Sequence, residues 1–517
     1  MKKYIFLLIA GFTISVSQSQ EISDAIRYSQ DNLNGTARFR AMSGAFGALG
    51  GDLSSLNVNP AGSSVFNNNQ ITATLSNFNV KNNSNYFNTA TSTTDNSFDL
   101  NQTGGVFVFK NQNQNSDWKK FSIAINYENT NNFNNSVFSA GVNPTKSVDS
   151  YFLSYANANP QQNQLGIPLG TIRNNNYADL NFADQQAFLG YEGYIINAIP
   201  LASDPSNDKN PDIRSYSSNI TPGVNYYQEN SIMTNGYNGK LSFNAATSFQ
   251  DKLYFGLNLN AHFLDYNKSS SFYESNSNAL SNSDYTVKRL RFDNQLYTYG
   301  SGFSFQLGAI AKVSTEIRLG LAYESSTWYK LNDEFTQKLV SVSANTGGEL
   351  PSDVVNPKIT NYYELYKLQT PSKITGSFAY IFGKSGLISV DYSIKDYGST
   401  KFTPENDTYF KSLNNQMSST LTNTGELRIG AEYKIKQWSL RGGYRYEESP
   451  YKNATTIGNL KGYSGGFGYN FGSTKVDLAY SYAQRNSQQG YFSQGLTDGA
   501  KINTINNNVS MTLLFEL

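Results

Sequence analysis

The sequence predicts an all-β chain: a 14-stranded antiparallel transmembrane β-barrel with a small N-terminal hatch inside the lumen. Three observations predict it. The first is period-2 alternation, which recurs from residue 70 to the end. In ELRIGAEYKIKQWSLRGGYRYEE, residues 426–448, Leu427, Ile429, Ala431, Tyr433, Ile435, Trp438, Leu440, Tyr444 and Tyr446 share one face. Arg428, Glu432, Lys434, Arg441, Arg445 and Glu447 share the other. The second is loop length: tight turns (QDK, VSTE, GKSG, KQ, GST) alternate with long connections, as on the two rims of an outer-membrane barrel. The third is the leader MKKYIFLLIAGFTISVSQSQ, with two lysines, an apolar run too short to span a bilayer, and small residues at its end.

Taken in order, residues 1–19 read as a signal peptide, with no cysteine following to carry a lipid anchor. Residues 20–69 do not alternate. SDAIRYSQDNL suits a short helix capped by Ser23, and GTARFRAMSGAFGALGGDLSSLNVNPAGSSVF is rich in Gly and Ala. Its Phe39, Phe46, Leu49, Leu53, Leu56 and Phe66 are too apolar for a solvated linker, so this segment is expected to fold into the lumen as a plug. The alternative is a periplasmic tail.

Residues 70–517 hold the barrel. Strands are expected near 70–80, 102–110, 118–128, 235–248, 253–266, 290–312, 316–326, 362–382, 386–397, 424–435, 437–447, 461–471, 474–484 and 507–517. Every backbone N–H in hydrocarbon needs a partner, so the last strand must pair with the first. Confining Arg and Lys to the lumenal face avoids about 2–4 kcal/mol per charge at the bilayer midplane. Trp118, Tyr127, Tyr433, Trp438 and Tyr446 are placed for interfacial girdles. A soluble sandwich would show the same alternation without the leader or the loop asymmetry.

A long extracellular loop is expected at about 129–234. Within it, FADQQAFLGYEGYIINAI sets Phe188, Tyr191 and Ile195 at helical spacing, with Leu189 and Ile196 beside them. Two readings stand: a landing groove for an apolar ligand, or a local core that stabilises the loop. Likewise Arg428, Glu432, Arg441 and Arg445 are either a network that props the plug or water-facing residues of a wide lumen.

Composition excludes several chemistries. The chain of 517 residues has no Cys, one His and a net charge of +1. Thiolate chemistry, disulfides and multi-His metal sites are out, and there is no charge excess to draw nucleic acid. His262 sits on the polar side of its strand, and no nucleophile-elbow motif marks a serine partner. No catalytic residue, metal or cofactor is expected.

ARFRAMSGAFGALGGDLSSLNVNPAG, PSKITGSFAYIFGKSGLISVDY and ELRIGAEYKIKQWSLRGGYRYEESPYKN together resemble the FadL/TodX (OmpP1) outer-membrane transporters of hydrophobic compounds. The first resembles that family's hatch, with Asn59, Pro60, Ala61 and the adjoining Gly62 at its Asn-Pro-Ala signature and Asp52 as the upstream acid. The resemblance implies passive uptake of lipophilic ligands such as long-chain fatty acids, a hatch that rearranges, and sideways exit into the bilayer at a bend in the third strand. It implies residence in the bacterial outer membrane, among lipid and lipopolysaccharide, and a monomer is expected. The third strand, WKKFSIAINYE, contains neither Gly nor Pro, so the sequence does not place that bend. A general porin and a surface receptor or adhesin are the competing functions.

Overall fold

The computed structural model describes residues 20–113, 115–160, 164–488 and 490–517. The expected signal peptide lies outside them. Fourteen antiparallel strands close a barrel. They are β1 (Gln70–Tyr86), β2 (Thr89–Lys110), β3 (Trp118–Asn132), β4 (Tyr226–Phe249), β5 (Leu253–Asn276), β6 (Thr286–Lys312), and β7, which runs Ile317–Glu324 and resumes at Trp328–Asn345. Then come β8 (Tyr366–Gln369, resuming at Lys373–Phe382), β9 (Gly386–Asp396), β10 (Asn423–Ile435), β11 (Trp438–Glu447), β12 (Ile457–Asn470), β13 (Thr474–Gln488) and β14 (Lys501–Glu516). Closure is by β14 on β1, in register from Gln70↔Glu516 to Asn85↔Lys501.

The apolar face of the β10–β11 hairpin points outward. Ile429, Tyr433, Trp438 and Leu440 are exposed, while Glu426, Arg428, Glu432 and Arg445 are buried in the bore. On β5 the outward residues Leu253, Phe255, Leu257, Leu259 and Phe263 are exposed, and the next outward position is Asp265. That run, at roughly 3.3 Å per residue and tilted by about 45°, spans roughly 25 Å, the height of a lipid-facing band. Trp118 against Phe249 and Trp438 against Tyr469 stand at the short-turn rim, where an interfacial girdle belongs.

The strands run well beyond this band. β5 has 24 residues and β6 has 27. The long connection expected between the strands at 70–80 and 102–110 is instead a β1–β2 hairpin with a tight turn, Tyr86↔Thr89. The apolar alternation that marks a strand in lipid vanishes where both faces meet water. Thr, Ser and Asn then carry the ladder unmarked. The loop expected at 129–234 is likewise shorter, because β3 continues to Asn132, Asn135–Asn143 pairs with β4, and β4 begins at Tyr226. Between them fold α3 (Asp149–Ala156), α4 (Leu169–Asn174) and α5 (Phe182–Glu192), around a core that includes Phe152, Leu169, Ile172, Leu189 and Ile213 and rests on Phe272, Phe292 and Leu339 of the barrel.

Residues 20–66 lie inside the barrel. α1 (Ile22–Ser29) packs Ala25, Ile26 and Tyr28 against Tyr266, Tyr329 and Tyr366 and beneath α6 (Thr408–Thr420), whose Phe410, Leu413 and Met417 share that core. α2 (Ala37–Ala41) and two short 3₁₀ turns, Leu53–Asn57 and Pro60–Val65, follow at the level of the lipid band.

Candidate functional site

The N-terminal segment is built to lie against the wall. Asp52 caps the first 3₁₀ turn, accepting from Ser54 N at 2.9 Å, and also accepts from Thr36 Oγ1 at 2.8 Å. Thr36 itself caps α2 through Phe39 N, so one carboxylate ties two turns together. Asn59 caps the second turn, accepting from Ala61 N at 3.1 Å, with Pro60 at the first helical position where its missing N–H costs nothing. Asn59 Nδ2 donates inward to Gly47 O at 2.7 Å and outward to Ala309 O on β6 at 3.0 Å. Pro60 O accepts from Asn244 on β4 at 2.9 Å, and Gly62 O accepts from Gly51 N at 3.1 Å. The residues expected at a gate thus form one knot between segment and barrel.

Glycines on the lumenal face of the wall let this knot sit flush. A Cβ at Gly308 would overlap Asn59 Oδ1 and stand 2.7 Å from Pro60 Cδ. One at Gly256 would collide with the Pro60 carbonyl, and one at Gly320 with Gly47 O. These positions were not singled out from the sequence, although each is a glycine at inward parity.

Charges fasten the opposite side. Arg38 bonds Glu432 at 2.9 Å, Glu432 bonds Arg441 at 2.7 Å, and Arg441 bonds Asp477 at 2.6 Å. Phe46 N and Gly47 N donate to Asp391 at 2.9 and 3.0 Å. Asp31 meets Lys373 at 2.8 Å, and its carbonyl accepts from Arg445 Nη2 at 2.9 Å. Of the two readings of the lumenal charges, the network touching the N-terminal segment is the one observed.

The wall itself is interrupted. β2 and β3 share a ladder only from Gln102↔Glu128 to Lys110↔Lys120. Above it β2 pairs with β1 alone, while β3 and its continuation pair with β4 alone. The divergence starts at two bulges: Asn101, whose Oδ1 accepts from Gly35 N at 2.7 Å, and Thr130, between Asn129 and Asn131. Among the described residues, every hydrogen bond across the seam uses at least one side chain. Asn129 donates to Asp99, Asn132 to Ser97 at 3.2 Å, and Thr93 to Ser136 O at 2.6 Å. Leu100 and Phe98 stand exposed beside it on the outer face. The two bulged positions are Asn101 and Thr130, neither of them Gly or Pro.

A lumenal cavity of about 90 Å³ reaches the seam at Asn132 and is otherwise lined from the N-terminal segment and from β1 and β11–β14, by Leu33, Asn34, Phe78, Val80 and Leu460 among others. The residues expected in a landing groove lie elsewhere. Leu189, Ile195 and Ile196 are fully buried in the core of the long loop between β3 and β4, and Phe188 and Tyr191 pack half-buried against it. They form that core and leave no open groove among the five. His262 Nε2 meets Ser304 Oγ at 2.9 Å and its Nδ1 lies 3.4 Å from Tyr329 OH. No group of metal-ligating side chains occurs among the described residues.

The family model described as outer membrane protein transport protein (OMPP1/FadL/TodX) matches residues 215–510, more than half of the sequence. The chain belongs to this family. It is an outer-membrane β-barrel of the OMPP1/FadL/TodX transport family. The matched span starts beyond Asn59 and Asp52. Among solved structures, a Pseudomonas aeruginosa FadL homologue is similar at 12% identity, with 94% of this chain and 99% of that chain covered and a TM-score of 0.53. The P. putida toluene transporter TodX (14%, 94% and 99% covered, TM-score 0.48) and the Ralstonia pickettii toluene transporter TbuX (14%, 94% and 99%, 0.47) are similar as well. No curated protein sequence matches the chain.

Proposed function

We propose that this protein passes hydrophobic small molecules, such as long-chain fatty acids, passively across the outer membrane. Residues 20–66 act as a hatch, and the seam between β2 and β3 is a lateral exit into the bilayer. The observation that carries the reading is the pairing of a filled bore with a wall whose backbone ladder is missing beside a lumenal cavity. A porin for hydrophilic solutes needs an open bore, and this one is occupied by hydrogen-bonded polypeptide. An apolar solute gains by leaving sideways, because it goes from the lumen to lipid without crossing water. Gating falls to the knot of Asp52, Asn59, Pro60, Ala61 and Gly62, since loosening it would free the hatch from β4, β5 and β6. Enzymatic turnover has no part in this reading.

The test uses the absence of cysteine. Ser97→Cys with Asn132→Cys places the only two thiols of the chain across the seam. Joining them with a short thiol crosslinker should cut uptake of a labelled fatty acid into cells that lack another such channel, and cleaving the linker should restore it. Undiminished uptake after complete crosslinking would sink the lateral exit.

A further inference from the structure

The outer wall carries a group of lysines at the long-loop edge of its apolar band. On β7 the outward residues Leu319, Leu321, Tyr323 and Trp328 are exposed apolar side chains, and the next outward position is Lys330. On β8 the outward run Phe382, Tyr380, Phe378 and Ile374 ends in the same way, with Gln369 and then Lys367 beyond the break in the strand. Lys330 and Lys367 are direct cross-strand partners, and both are exposed. Lys401 lies on the short strand Lys401–Thr403, which pairs with the upper part of β8, and stands exposed and diagonal to Lys367. Among the described residues Lys330 and Lys367 form no ion pair. Lys401 meets Glu405 at 3.5 Å, with both side chains well exposed.

Like charges directly opposite each other, with Cβ atoms roughly 4.5–5.5 Å apart, destabilise a pair of strands. A third lysine adds to the repulsion, and an anion seated among the three removes it. The height of the group says which anion. Trp328, stacked on Phe303, marks the rim of the lipid band, and the lysines stand one outward step above it, where head groups lie. Short turns of an outer-membrane barrel face the periplasm, so this opposite rim meets the outer leaflet. The wall below is notched. Gly376, the outward residue between Ile374 and Phe378, is opposite Leu321, and nothing stands within 4 Å of a Cβ added there. A notch in an apolar wall beneath three cations suits an acyl chain with an anionic head.

We propose that Lys330, Lys367 and Lys401 hold a phosphate of an acylated, phosphorylated glycan of the outer leaflet, the chemistry of the lipid A anchor of lipopolysaccharide. The ammonium groups donate to the phosphate oxygens in charge-assisted bonds. Ser301, opposite Lys330 on β6, and Thr403, opposite Lys367, add hydroxyls to the same face. An acyl chain runs down β8 over Gly376. The bound lipid thereby ties β7, β8 and the short strand together where they leave the membrane. The site needs the barrel and its outer-membrane setting, and it stands or falls apart from the transport reading.

The experiment measures, by native mass spectrometry, the binding of phosphorylated lipid A and of the same lipid A with its phosphates removed to the full protein in phosphatidylcholine nanodiscs. The wild type should favour the phosphorylated form by roughly tenfold or more, the scale of one charge-assisted hydrogen bond. Lys330→Gln combined with Lys367→Gln should bring the ratio near one. Lys367→Glu, which gives Lys330 a partner within the wall and relieves the repulsion, should do the same in a protein that stays folded. Lys384→Gln, in the short turn between β8 and β9, should keep the wild-type ratio. A wild-type ratio near one, or an undiminished ratio in Lys367→Glu, overturns the site. Loss of the preference in Lys384→Gln also overturns it, since overall charge would then be what matters. Displacement of lipid A by equimolar inorganic phosphate would assign the lysines to a free anion, and displacement by equimolar phosphatidylglycerol to any anionic lipid; either result overturns the glycolipid.

Discussion

Asn59→Ala tests the hatch knot at its centre. The substitution removes three hydrogen bonds: Nδ2 to Gly47 O at 2.7 Å, Nδ2 to Ala309 O at 3.0 Å, and Ala61 N to Oδ1 at 3.1 Å. Each is worth about 1 kcal/mol net, so the hatch loses about 3 kcal/mol of attachment. Since 1.4 kcal/mol is about a factor of ten, the displaced-hatch population should rise roughly 100-fold. The barrel itself should be spared, because β5 and β6 stay paired through a backbone ladder from Leu253↔Ala311 to Ser275↔Arg289, which Asn59 meets at the Ala309 carbonyl. The assay is single-channel conductance in planar bilayers, which reads the fraction of time a water-filled path is open, alongside a urea midpoint for the barrel. Open events as rare as in the wild type, from protein that is folded and inserted, would refute the claim that Asn59 fastens the hatch.

Four further outcomes are expected. Gly308→Val should raise conductance in the same way by driving a side chain into Asn59 and Pro60, whereas Gly376→Val, where nothing lies within 4 Å of an added Cβ, should match the wild type in the same bilayer recording. Glu432→Gln leaves Arg38 and Arg441 facing each other without their shared carboxylate and should lower stability by about 3–5 kcal/mol in urea unfolding from micelles. Phe255→Arg puts a charge on the lipid face and should cost about 2–4 kcal/mol in refolding into vesicles. Phe410→Ala removes a fully buried ring from the contact of α6 with the core around α1 and should make α6 the first site of proteolysis, through a local loss of about 3–5 kcal/mol.

The sequence by itself determined the barrel, the side of each strand that meets lipid, and the existence of an apolar, turn-rich segment before it. Those features follow from local rules: a period of two, the cost of charge in hydrocarbon, and the turn chemistry of Asn, Pro and Gly. Asn59 and Pro60 stood out through the Asn-Pro-Ala signature, and the structure shows Asn59 capping the second 3₁₀ turn. Strand ends were less legible: past the bilayer both faces of β1 and β2 are polar, and no alternation marks the ladder that continues to Tyr86 and Thr89. Other features belong to the tertiary structure alone. Whether α5 faces a ligand or its own loop depends on what covers it, and Phe152 and Leu339 cover it. Gly308 matters because Asn59, distant in sequence, arrives at its surface. The seam depends on two bulges in different strands diverging at one height. Pairings between remote segments are set by closure of the barrel around its own N-terminus, a condition that no short stretch of sequence can carry.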